Sequence, residues 1–145
     1  MAQEKPDHHD ADLILKLYDL RRETVMRQSR EAIMGKFWPR SYADVQAVMK
    51  FDHPMNAAYR QVGSYWEMAY GFARHNVVNS DFLVESSGEG LFLFAKLKPY
   101  LDDIRRDYSP LAYRNAEWLV THSEEARKRF EMISKVVQKR LDETK

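Results

Sequence analysis

The sequence predicts an all-α fold: a single-domain bundle of five or six mostly antiparallel helices over residues 1–145, with 1–9 as a flexible polar tail. Apolar residues recur at i+3 and i+4 spacing, and no segment alternates with the period of two that a strand requires. Cap residues stand where these patterns begin, and only five glycines and five prolines interrupt them. The connections are short, which favours antiparallel neighbours.

Two helices are predicted in the first third of the chain. The first begins near Asp10, a good N-cap residue, and continues to about Met34, where Gly35 ends it. After a short loop, Ser41 is the N-cap of a second helix, whose apolar spacing ends at Met49.

The third predicted helix has the most regular spacing. Pro54 suits its first position, because proline has no backbone N–H to lose there, and the pattern ends near Asn76. Its apolar stripe consists of Met55, Tyr59, Val62, Trp66, Ala69 and Ala73.

The fourth predicted helix is capped at 79–80 and reaches about Tyr108. Gly88 and Gly90 weaken its beginning, and Pro99 removes a backbone hydrogen bond, so we expect a kink or a break there.

Two further helices complete the predicted bundle. A cap and a first-position proline at 109–110 open the fifth helix, which continues to Leu119. The sixth begins at Thr121 or Ser123 and carries a narrow apolar seam that can face the bundle core or a second copy of the chain. The seam consists of Phe130, Ile133, Val137 and Leu141.

Composition and charge narrow the classes of function. With 22 acidic and 23 basic residues, the net charge of +1 gives no bulk attraction to nucleic acid or to an anionic membrane. The absence of cysteine excludes disulfides and thiolate metal sites. The first residues lack the apolar core of a signal peptide, and the longest apolar run, Leu91–Ala95, is far shorter than the roughly 20 residues of a membrane span. We expect a cytoplasmic protein without membrane contact.

No recognisable catalytic or metal-binding motif occurs in the sequence. The Glu-x-x-His pair of di-metal bundles and the His-Glu-x-x-His pattern of zinc proteases are both absent. The Gly/Ser-rich stretch 86–90 lacks the lysine of a phosphate-binding loop, and no spacing indicates a catalytic triad. We interpret the Asp-His-His-Asp run at 7–10 as part of the tail. The protein is therefore expected not to be an enzyme and to need no cofactor and no metal.

A polar line runs along the third predicted helix. Arg60, Glu67 and Arg74 are spaced at i, i+7 and i+14, so they project from nearly one side. Small residues beside them would let another helix approach closely, which would bury Glu67 at least in part. A buried carboxylate needs partners, so the sequence predicts a buried ion pair with an arginine. The small residues are Gly63, Ser64 and Gly71, and the arginines available from neighbouring helices are Arg105, Arg106 and Arg114.

The same helix has an alternative interpretation as the wall of a pocket. A cavity lined by Trp66, Glu67 and Tyr70 would suit a small anion or amide, in a sensor or an enzyme. A flat apolar patch would instead favour an interaction module. We prefer the interpretation as a structural ion pair, and the sequence does not decide against the pocket.

A second cluster of charge lies in segment 21–50, which contains seven basic residues and three acidic ones. Phe37 and Trp38 lie within it, and basic residues with aromatics are the minimum for binding single-stranded nucleic acid. No recognition motif accompanies them, so an ordinary solvated helix face is the preferred interpretation and nucleic acid is not the expected partner.

One stretch of the chain resembles a broad set of uncharacterised bacterial helical domains. Their pattern is an aromatic residue followed by Glu on one helix, a short polar turn, and a long helix that ends in Arg. The resemblance covers about a third of the chain and implies an all-helical domain without established activity, in which Glu67 is structural. It is carried by Tyr65-Trp66-Glu67, Gly71, Asn79-Ser80-Asp81, Leu97-Lys98-Pro99, Arg105 and Tyr113.

The preferred functional hypothesis is a non-enzymatic protein-interaction module, expected as a homodimer with a further, unknown protein partner. The chain has three tryptophans, eight tyrosines, seven phenylalanines and seven methionines, and aromatic residues often serve at interfaces. Met68, Phe92 and Trp38 fall off the main apolar stripes and need cover. The small-molecule sensor or enzyme stays the alternative, and weak single-stranded nucleic-acid binding is the second alternative.

Overall fold

The computed structural model describes residues 5–143, of which 77% are helical, with no strand among them. The predicted all-α class is confirmed, but the described helices are more numerous than the five or six expected. In chain order they are α1 (His8–Leu20), α2 (Thr24–Lys36), α3 (Tyr42–Val48), α4 (Asn56–Arg74), α5 (Ser80–Ser86), α6 (Glu89–Leu97), a 3-10 helix (Lys98–Tyr100), α7 (Leu101–Asp107), α8 (Arg114–His122) and α9 (Glu124–Glu143).

The first predicted helix is two helices, α1 and α2. Glu23 ends the continuity, because its carboxylate accepts hydrogen bonds from the backbone N–H of Val25 (3.0 Å) and Met26 (2.9 Å) and so caps α2. The apolar spacing continues across this break, which is why periodicity alone joined the two helices. Gly35 lies inside α2, not beyond its end.

The fourth predicted helix is also divided. Ser87 and Gly88 separate α5 from α6, and the 3-10 helix separates α6 from α7. Pro99 lies in that 3-10 helix, so the break expected at this proline is confirmed. The fifth predicted helix starts later than expected, because 110–113 forms a turn before α8.

The N-terminal tail expected over 1–9 is shorter than predicted. Asp7, not Asp10, is the N-cap of α1, and it forms a reciprocal capping box with Asp10. The Asp10 carboxylate is buried and also accepts the backbone N–H of Asn79 at 2.8 Å, which ties α1 to the beginning of α5. His8 and His9 therefore belong to α1, while residues 1–4 lie outside the described part.

Helix α4 lies at the centre of the fold and packs on two sides. It packs against α2 and α6 on its aromatic side and against α8 on its small-residue side. Seven of the nine residues of α6 are buried. Gly90 lets α6 approach α4, because a Cβ there would lie 2.5 Å from the Tyr70 hydroxyl and 2.7 Å from the Trp66 Cβ. Helix α9 covers α5, α6 and α8.

Candidate functional site

Glu67 caps another helix. Its Oε1 accepts the backbone N–H of Ala116 at 2.8 Å, and its Oε2 accepts that of Asn115 at 3.2 Å. These are the second and third residues of α8, and no side chain of α8's own N-cap residue, Tyr113, occupies them. A helix leaves its first N–H groups without intrahelical partners and favours negative charge at that end, so this carboxylate stabilises α8 from α4.

The ion pair predicted for Glu67 is wrong. Within residues 5–143, its carboxylate makes no salt bridge, because the amides of α8 occupy it. Arg105 instead pairs with Glu117 at 3.1 Å and donates to the carbonyl of Ala112. Burial raises the pKa of Glu67, while the two backbone hydrogen bonds and the charges of Arg114 and Arg105 act in the opposite direction.

Arg74 is the one arginine of the predicted network that reaches this junction, through Asn115. The Asn115 side chain donates to the backbone carbonyl of Glu67 at 2.9 Å and accepts from Nε of Arg74 at 2.6 Å. Gly71 makes the space, since a Cβ there would lie 2.9 Å from Asn115 Nδ2. The small residue is therefore required by a polar contact between α4 and α8.

The remaining predicted arginines lie on the surface. Arg60 donates to Asn56 at 2.9 Å and places its guanidinium 5.1 Å from the ring centre of Phe51. Arg114 is exposed at the first position of α8. Neither forms a salt bridge with an acidic side chain in the described part of the chain, so the predicted buried network is wrong for both.

The small-residue groove of α4 is only half covered. Helix α8 fills the end at Gly71, whereas the end at Gly63 and Ser64 opens into a cleft of about 260 Å³. The cleft is lined by Tyr59, Arg60, Gly63, Ser64, Glu67, Leu111, Ala112 and Tyr113.

Tyr113 closes the floor of this cleft in a strained conformation. Its φ of 58° is uncommon for a bulky side chain, and its hydroxyl donates to that of Tyr59 at 2.7 Å. Burial raises the pKa of Tyr59 to about 12 and that of Tyr113 well above its ordinary value, so both phenols stay neutral near pH 7.

Trp66 and Tyr70 do not line a pocket together with Glu67. Trp66 is buried with its indole Nε1 unpartnered, and Tyr70 is fully buried and donates to the carbonyl of Ser87 at 2.6 Å. Both rings pack against α6 at Gly90, so the predicted pocket lining is wrong for these two residues.

Lys96 is a buried charged residue that the sequence analysis missed. It is 2% exposed, and its Nζ donates to the carbonyls of Ile33 (2.9 Å), Met34 (3.2 Å) and Phe37 (2.8 Å) at the end of α2. The ammonium also lies 3.9 Å from the ring centre of Trp38. The signal available in the sequence was a single lysine within the apolar run 91–97.

The basic segment 21–50 has structural contacts that compete with nucleic-acid binding. Phe37 is buried, and the Trp38 ring packs against Phe92 as well as Lys96. Arg30 pairs with Glu89 at 2.7 Å. The rings that would stack on bases are therefore engaged in the fold.

The seam of α9 faces the interior. Phe130 packs on Phe94 with ring centres 5.4 Å apart, and Val137 is buried. Of the three residues expected to need cover, Trp38 and Phe92 cover each other, and Met68 stays 44% exposed. The seam therefore no longer supports a homodimer, and the homodimer stays a prediction.

Residues 5–143 contain neither a cluster of metal-binding side chains nor a membrane-spanning helix. No three His, Asp or Glu side chains in this range are grouped so as to hold a metal ion. No helix there is long and apolar enough to cross a membrane.

A protein-family model matches residues 6–123, most of the chain. The chain belongs to DUF4760, a domain of unknown function. The DUF4760 match confirms the expected membership in an uncharacterised family and ends where α9 begins. No curated protein and no solved structure matches the chain significantly.

Proposed function

We propose that this chain is a non-enzymatic protein-interaction module that self-associates through the outer face of α4 beside α8. The observation that carries the proposal is the uncovered half of the α4 groove, a concave surface between two helices. Exposed apolar side chains surround it, and large exposed apolar patches on soluble proteins commonly mark interaction sites.

Three exposed apolar side chains rim this face. Phe51 is 83% exposed and stacks on Arg60, which lines the cleft together with Leu111, itself 57% exposed. Met68 follows Glu67 on the solvent side of α4 and is 44% exposed. Their positions around one cleft favour a partner that covers them together.

The charges of the face suit pairing with a second copy. Arg60 and Arg114 form no salt bridge with an acidic side chain in the described residues, and the Glu67 carboxylate, which the charge of Arg114 reaches, adds negative charge to the face. A two-fold interface brings a surface onto itself, so a face with both signs can oppose unlike charges.

The groups at the cleft are poorly suited to catalysis. The raised pKa values of Tyr59 and Tyr113 keep both phenols protonated at neutral pH, so neither is available as a general base, and the Glu67 carboxylate already accepts two backbone hydrogen bonds. Recognition by shape and hydrogen bonds is the chemistry that this arrangement supports.

Light scattering coupled to size exclusion tests the proposal. The wild-type mass should rise from 17.2 kDa toward twice that value with concentration. Met68→Gln with Leu111→Gln should hold the mass at the monomer value.

The matched control replaces two comparably exposed residues on α9, Met132 (63%) and Val136 (56%), with Gln and Thr. This control should dimerise like wild type. A wild-type mass constant at 17.2 kDa refutes self-association, and equal loss in both double variants refutes the assigned face.

A further inference from the structure

A second, larger cleft lies between α6 and α9, away from the self-association face. Its volume is about 380 Å³, within the range of roughly 300–1,000 Å³ that small-molecule sites occupy. Most of its wall is apolar, and the polar groups are few. It is lined by Pro39, Ala95, Lys96, Lys98, Pro99, Tyr100, Phe130, Ser134, Val137, Gln138 and Leu141.

The charged residues that line this cleft are lysines, while the Asp142 carboxylate accepts a hydrogen bond from the lining residue Gln138. Lys96 and Lys98 line it, and no acidic side chain does. Lys96 makes no salt bridge within residues 5–143, although it is 2% exposed, and a buried cation without a counter-charge is unfavourable. Burial and the nearby guanidinium of Arg140 lower the pKa of Lys96 to about 7. An anion in the cleft would favour the protonated, charged form of Lys96.

The donors available to an anion lie at the cleft wall, not on Lys96. The three N–H groups of Lys96 are occupied by the carbonyls at the end of α2, so it can attract an anion only through its charge. Lys98 is exposed, and Ser134 presents a hydroxyl on the facing side of α9, where the amide of Gln138 already donates to the Asp142 carboxylate at 3.0 Å. Phe130 and Val137 supply apolar surface beside these donors.

We propose that the α6–α9 cleft binds a small amphipathic anion, an aliphatic monocarboxylate. Its carboxylate meets Lys98 and Ser134, and its hydrocarbon tail lies along Phe130 and Val137. Neither an inorganic anion nor a neutral apolar molecule uses both parts of the cleft.

Calorimetry with octanoate on the full chain tests the site. Octanoate should bind once per chain, and 1-octanol, which keeps the tail without the charge, should bind at least tenfold more weakly. Lys98→Ala should weaken octanoate binding roughly three- to tenfold, as the loss of one partly screened charge pair predicts. Lys50→Ala, which removes another exposed lysine outside the cleft, should change nothing.

Ser134→Phe, which fills the cleft, should abolish binding, and circular dichroism verifies that this variant is folded. No saturable octanoate binding, equal affinity for octanol, or unchanged affinity in Lys98→Ala overturns the proposal. Self-association at α4 is measured separately, so either proposal can fail without the other.

Discussion

Replacing Glu67 with alanine is expected to destabilise the fold by about 3 kcal/mol. The substitution removes both acceptors of the first turn of α8, at 2.8 and 3.2 Å. Hydrogen bonds to charged groups contribute about 1.5–3 kcal/mol each, and the lower value suits a half-buried carboxylate with one longer bond. Loss of an ordinary N-cap costs about 1 kcal/mol, so a cap that also joins two helices should exceed that cost.

Urea unfolding followed by circular dichroism measures this change, and the melting temperature should fall by about 10 °C. Glu67→Gln keeps one acceptor oxygen without the charge and should lose about half as much stability. The control is Glu131→Ala, because Glu131 is exposed on α9 with no hydrogen bond or ion pair in the described part of the chain. It should stay within about 0.5 kcal/mol of wild type.

An arginine variant separates the helix cap from the ion pair that the sequence suggested. Arg114→Ala removes an exposed guanidinium near Glu67 and should cost less than about 0.5 kcal/mol. If Arg114→Ala costs as much as Glu67→Ala, the stabilisation is ionic and the cap assignment is wrong. Wild-type stability in Glu67→Ala would also refute the reasoning.

Two further predictions concern α6 and α2. Gly90→Ala should lower the free energy of unfolding by about 2 kcal/mol or more, because its Cβ would lie 2.5 Å from the Tyr70 hydroxyl. Gly35→Ala places its Cβ where nothing lies within 4 Å and should stabilise α2 by roughly 0.5–1 kcal/mol. Equal urea midpoints for the two variants would contradict this. Between pH 7 and 9 the unfolded chain keeps a proton on Lys96 that the folded chain releases, because folding lowers its pKa to about 7. Wild-type stability relative to Lys96→Met should therefore rise with pH, by at most about 1.4 kcal/mol per unit, and a flat difference would contradict the lowered pKa.

Local patterns predicted the helical class and the two packing sides of α4. Its aromatic stripe and its small-residue side are both visible at i+3 and i+4 spacing, and Gly71 does admit a neighbouring helix. The divisions within the first and fourth predicted helices were harder to see. Glu23 separates α1 from α2 because its carboxylate binds the first backbone amides of α2. This contact does not interrupt the i+3 and i+4 spacing of apolar residues, so the spacing does not reveal the break.

The sequence by itself determined the helical class, the polar line on α4 and the absence of cysteine chemistry, because these follow from side-chain type and local spacing. The tertiary structure alone decided the partners. Glu67 meets Asn115 and Ala116, nearly fifty residues away, and they bind it through backbone N–H groups that every residue except proline carries. Lys96 likewise binds the carbonyl of Phe37 across the fold. Backbone groups have no signature in the sequence, so packing alone determines which side chain reaches them.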